Sequence, residues 1–147
     1  MKTLVVYYSR KGYTEKIALA KVKELSADFL CLETLENVAG YNGFINCLTN
    51  RLTKRDMELF PYDADIAAYD KVIICTPLWF GEPAAPVKTF MKREKHNIKN
   101  AEYIFVHASA DNAAKAYAYS EKVLRLTGSH YTSIQTVFGK IKKEEEF

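Results

Sequence analysis

Two hydroxyls, two cations and a glycine crowd into six residues, Ser9-Arg10-Lys11-Gly12-Tyr13-Thr14. They follow the apolar run TLVVYY (3–8) and precede a helical pattern. A helix N-terminus offers unpaired N–H groups and the positive end of the helix dipole, so this turn suits an anion, phosphate above all. Gly12 permits a positive φ, which lets the N–H groups of Arg10 to Thr14 converge on one concavity. Ser9 and Thr14 add hydroxyl donors, and Thr14 could also cap the helix. The turn is neither a GxxxxGK[ST] phosphate loop nor a GxGxxG dinucleotide loop. It lacks the acidic pair of a receiver domain and the thiol-then-arginine of a cysteine-dependent phosphatase. The same residues would also make an ordinary capped turn, so this loop alone leaves both readings open.

A second stretch, CTPLWFGEPAAPVKTFM (75–91), narrows the choice. Pro77 and Pro83 stiffen it, and Gly81 frees one position. Between the prolines stand Leu78, the only tryptophan, Trp79, and Phe80. A large aromatic in a proline-bracketed loop at a strand's carboxyl end suits a platform for a flat ligand. The alternative is that Trp79 and Phe80 simply pack the loop onto the domain.

These stretches need elements to hold them. Strands are predicted at 3–8, 28–33, 71–76, 102–108 and 131–137 from β-branched and aromatic runs. Helices are predicted at 14–26, 41–55, 84–94 and 112–127, where apolar residues recur three and four apart. Alternating strand and helix argues for a parallel sheet with helices on both faces, a three-layer α/β sandwich. The first, third and fourth strands are apolar at successive positions, as strands covered on both sides must be. With 147 residues, no repeat and no linker-like stretch, the chain reads as one domain.

Composition excludes several classes. Hydrophobic residues at 48% and charged residues at 27% describe a globular chain. No apolar run approaches a membrane span and no leader-like segment opens the chain, so the expected location is the cytoplasm. A net charge of +3, with basic and acidic residues interspersed, gives no nucleic-acid stripe. His96, His107 and His130 lie far apart, which argues against a metal site. Cys31, Cys47 and Cys75 show no CxxC spacing, and Cys31 and Cys75 fall within strands as expected buried thiols. No side chain reads as a nucleophile or general base.

Tyr8, Ser9, Gly12 and Thr14, together with Thr76, Pro77, Trp79, Gly81, Pro86, Val87 and Phe90, resemble two motifs of the flavodoxin-like family. The first is its phosphate loop after strand 1, and the second is the TP-x-W/Y-x-G-x-x-x-x-P-V-x-x-F segment after strand 3. The resemblance spans essentially the whole chain. It implies an FMN-binding domain with a five-stranded parallel sheet of order 2-1-3-4-5, the cofactor lying at the switch point between strands 1 and 3; flavodoxin is the standard illustration of that rule. On this likeness Ser9 to Thr14 would hold the FMN phosphate, and Trp79 would stack on or flank the isoalloxazine. The segment Thr76 to Gly81, with Phe80 and Gly81 nearest, would approach the N5 edge. Ser109, Asp111 and Asn112 would line the other side.

The chain departs from the family pattern in several places. Lys11 stands where a hydroxyl is usual and Tyr13 where asparagine is common. The loop 108–114 lacks the aromatic that often covers the flavin, and Asp111 could instead cap the following helix. The ending GKIKKEEEF leaves the usual fifth helix short or missing. Apolar surface beside the first helix is then expected to meet a partner or a second copy of the chain. Three functions follow: an electron-transfer flavoprotein serving a redox partner protein or small acceptor, a small FMN-dependent reductase of the NAD(P)H:quinone type, or a flavin-free interaction module.

Overall fold

The computed structural model describes residues 1–35, 56–108, 113–138 and 140–147. The predicted helix at 41–55, Cys47, Gly139 and the candidates Ser109, Asp111 and Asn112 lie outside them. The order is β1 (Thr3–Tyr7), α1 (Tyr13–Leu25), β2 (Asp28–Cys31), a 3-10 turn (Ile66–Ala68), β3 (Lys71–Trp79), β4 (Glu82–Pro83), α2 (Ala85–Glu94), β5 (Ala101–His107), α3 (Ala113–Leu124), β6 (Tyr131–Val137) and β7 (Lys140–Glu146). The main sheet runs β2-β1-β3-β5-β6-β7, with the two-residue β4 folded back on β3. Its first five strands are parallel, so the expected order 2-1-3-4-5 is the observed one.

Alternation along each strand feeds two cores. Val5, Tyr7, Ile73, Cys75, Ile104, Val106 and Ile134 face α1, where Ala18 is buried against them and Ile17 and Val22 pack alongside. Leu4, Val6, Val72, Ile74, Tyr103 and Phe105 face the opposite side. There Val87, Phe90 and Met91 of α2 and Ala113, Ala116 and Leu124 of α3 cover them. These are the i, i+3, i+4 positions that the sequence pattern marks. These side chains of the central strands are all buried beneath α1. Exposed apolar side chains on this face lie at its two edges: Phe29 of β2, in register with Val5, and Ile141 of β7, in register with Thr136.

The chain's last segment forms an antiparallel edge strand, not a short helix. β7 pairs with β6 from Thr132–Glu146 to Val137–Lys140, with a bulge at Gln135/Thr136. Lys and Glu favour helix in isolation, but intrinsic preference is a weak prior that tertiary pairing overrides. Here the pairing is reinforced beyond the strand itself. Tyr131 and Phe147 exchange backbone hydrogen bonds of 3.0 and 2.8 Å, and their rings stack at 4.9 Å. Tyr131 stacks in turn on Tyr117 of α3 at 4.7 Å. Cys31 also differs from expectation: it is exposed, because β2 is an edge strand, whereas Cys75 on central β3 is buried.

Candidate functional site

The β1–α1 turn and the end of β3 meet at the carboxyl edge of the sheet. β1 stops at Tyr7 and α1 begins at Tyr13. Gly12 is the helix cap, with φ +87°, a conformation open to glycine at little cost. Its N–H donates to Ser9 Oγ at 3.0 Å, which closes the turn and leaves the serine hydroxyl hydrogen available to donate. Thr14, expected to double as the cap, lies inside the first turn of the helix and is buried. Gly12 has no side chain with which to cap this N-terminus, so the first-turn N–H groups lack the usual acceptor from the cap residue.

β3 does not end at residue 76 as its apolar run suggests. It continues to Trp79 and reverses through Phe80 and Gly81 into β4, with Leu78 opposite Pro83 and Trp79 opposite Glu82. Both turn residues have positive φ, 57° and 75°, as a two-residue hairpin with the right-handed strand twist requires. Thr76, fully buried, ties the base of this hairpin. Its hydroxyl accepts from Ala84 N–H at 3.1 Å and donates to the Pro77 carbonyl at 2.8 Å. Glu82 anchors the tip by ion pairs to Lys88 of α2 and, at 3.7 Å, to Lys115 of α3. Trp79 is therefore held on a braced two-strand arm, not a free loop.

The arm leans against the first turn's neighbour: Trp79 meets the buried Tyr8 ring edge-to-face, centroids 5.6 Å apart. Between them opens a pocket of about 290 Å³. Ser9, Arg10, Lys11, Tyr13 and Thr14 line one part, Pro77, Leu78 and Trp79 another, and Val106, His107, Ala108, Thr136 and Phe138 the rest. Gly12, Thr76, Phe80 and Gly81 do not line it: the glycine shapes the turn, Thr76 lies beneath, and Phe80–Gly81 form the hairpin tip. Sequence reasoning missed the β5 and β6 contributions. The signal available was position, since both strands run parallel to β1 and end at the same edge. His107 donates to or accepts from Ser133 Oγ through Nε2 at 2.8 Å, which fixes its ring toward β6.

Two buried groups near the carboxyl ends of β1 and β3 stay uncharged at neutral pH. Burial pushes the Cys75 thiol, just before Thr76, up to about 12, with Lys21 opposing weakly. Burial also raises the Tyr7 hydroxyl, helped by neighbouring Cys31 and Glu15. Among the described lining residues Arg10 and Lys11 bring positive charge, and no acidic side chain is present. Hydroxyls, cations and a helix N-terminus at one end, with an aromatic wall and small apolar groups at the other, form a donor set for a phosphorylated planar molecule. Among the described residues no cluster of His, Cys, Asp and Glu could hold a metal, and no helix is long and apolar enough to cross a membrane.

No protein-family model matches the chain, and no curated protein matches it. Solved structures do. A flavoprotein of Lactobacillus acidophilus NCFM, crystallised in complex with FMN, superposes with a TM-score of 0.67 at 27% identity, covering 84% of this chain and 85% of that one. A protein of Bacteroides uniformis ATCC 8492, classed provisionally as a flavoprotein, gives 0.77 at 16% identity over 92% and 91%. The flavodoxin of Streptococcus pneumoniae TIGR4 gives 0.51 at 17% over 89% and 79%. The chain has the flavodoxin-like α/β fold that these solved structures share.

Proposed function

We propose that this chain binds FMN in the pocket above β1 and β3 and serves in electron transfer. One observation carries the reading: the Ser9–Thr14 turn and Trp79, far apart in sequence, line a single pocket at the sheet's switch point. The Lactobacillus flavoprotein with bound FMN supports it. In this assignment the α1 N-terminus, Ser9, Thr14 and the cations of Arg10 and Lys11 hold the phosphate, and Trp79 orients the ring system by its face. FMN supplies the redox chemistry, while the chain supplies position, polarity and exclusion of water on one side. At about 290 Å³ the pocket is at the small end for organic ligands, which suits a ring edge left outside for a donor or acceptor to approach.

A second reading, a reductase of a small acceptor such as a quinone, draws on the wall beyond Trp79. Val106, Ala108 and Phe138 make it apolar enough to receive an uncharged flat molecule. Purified protein should take up FMN with a yellow spectrum, and riboflavin, lacking the phosphate, should bind at least tenfold more weakly. Ser9→Ala should narrow that gap. Equal affinities for FMN and riboflavin, or no uptake of either, would overturn the assignment. Steady NAD(P)H oxidation with a quinone would favour the reductase over the carrier.

A further inference from the structure

The β6–β7 hairpin carries an aromatic residue that folding does not call for. Val137 pairs with Lys140, and Phe138 follows β6 directly at the reversal. Phe138 has φ +49° and is 96% exposed. Hairpin turns usually give such a position to Asn, Asp or Gly, because a residue with a Cβ is strained there. A large apolar ring in water on a strained backbone is unfavourable twice over. Such outliers persist where they serve a site, and Phe138 lines the same pocket as Ser9 and Trp79.

Its placement is specific. β6 lies two strands from β3, with β5 between them. Two strand spacings make about 10 Å, enough for a flat ring system between two aromatic side chains. The β5–α3 connection, ASADN (108–112), contains no aromatic residue. We propose that Phe138 is the second aromatic wall of the ligand site, meeting the ring system from the side opposite Trp79. On this view the β6–β7 hairpin supplies the cover that the β5–α3 loop cannot. The assignment rests on the FMN reading above.

Phe138→Asn tests it well, since asparagine relieves the turn and removes the ring. FMN affinity, measured by equilibrium dialysis on the full chain, should fall about tenfold, as loss of one aromatic contact implies. Phe138→Tyr should bind like wild type. The urea midpoint of the ligand-free Asn variant should stay level or rise. Weaker binding with undiminished stability is a pair of changes that a purely structural residue would not produce. Wild-type binding with an unchanged constant for Phe138→Asn overturns this assignment alone. A wild-type chain that takes up no FMN overturns it together with the functional reading.

Discussion

Cys75 is fully buried on the α1 side of β3, and that burial holds its thiol neutral to about pH 12, against an ordinary value of 9.0. An unfolded chain loses the thiol proton near the ordinary value. Between the two values the folded chain binds more protons than the unfolded one, so stability falls as pH rises. The loss can reach about 1.4 kcal/mol per pH unit. Cys75→Val, close in volume and without a proton to lose, should flatten this alkaline decline in urea melts recorded from pH 8 to pH 11 (about 9 to 12 being the active window). An unchanged slope would place the decline on the raised tyrosines Tyr7, Tyr62 and Tyr103 instead. At this scale the sequence told much about Ser9, Thr14 and Trp79, because hydroxyls after an apolar run and a lone tryptophan between prolines are local signals. Cys31 and Phe138 were opaque for the converse reason. Whether Cys31 is covered depends on the strand beside it, and Phe138 matters only once β6 is seen to end beside the pocket.

At the level of elements, the β3–β4 arm was the least legible part of the site. Pro77 reads as a loop residue, yet it pairs in register with Val106. The Phe80–Gly81 reversal is visible only when Trp79 is placed opposite Glu82. Thr76 joins the two halves of the arm, so Thr76→Val should lower stability by about 1 kcal/mol, the usual net value of one hydrogen bond. The loss stays near that figure because the Ala84 N–H keeps the Pro77 carbonyl at 3.1 Å. The same variant should weaken ligand uptake if the arm's stiffness positions Trp79. Guanidinium melts and a dialysis constant on one preparation separate the two effects. The helices were easier to read, since Val87, Phe90 and Met91 mark the buried face of α2 by spacing alone.

For the whole molecule, β7 completes the sheet. An unpaired β6 edge would present a row of free N–H and C=O groups beside Ile134, a template for association. β7 occupies that edge, and its own rim carries Lys140, Lys142 and Lys143, a bulge, and Glu144 to Glu146, features that discourage further pairing. Removing residues 140–147 should therefore leave a chain that associates with rising concentration, as light scattering would report. A truncated chain that stays monodisperse under conditions where the full chain does would refute this role. The charged segment reads in sequence as a short or missing helix because its pattern has no period-two apolar face. Its strand state comes from the β6 edge, which no local window contains, and from the contact of Phe147 with Tyr131.

The single tryptophan has one more consequence. Trp79 forms part of the pocket wall and abuts Tyr8, while every other indole is missing from the chain. Its emission therefore comes from one place, beside the proposed ligand. Quenching or a colour shift on addition of any small molecule would report occupancy of that wall directly, in unlabelled protein, and makes the unmodified chain its own sensor for screening what it binds.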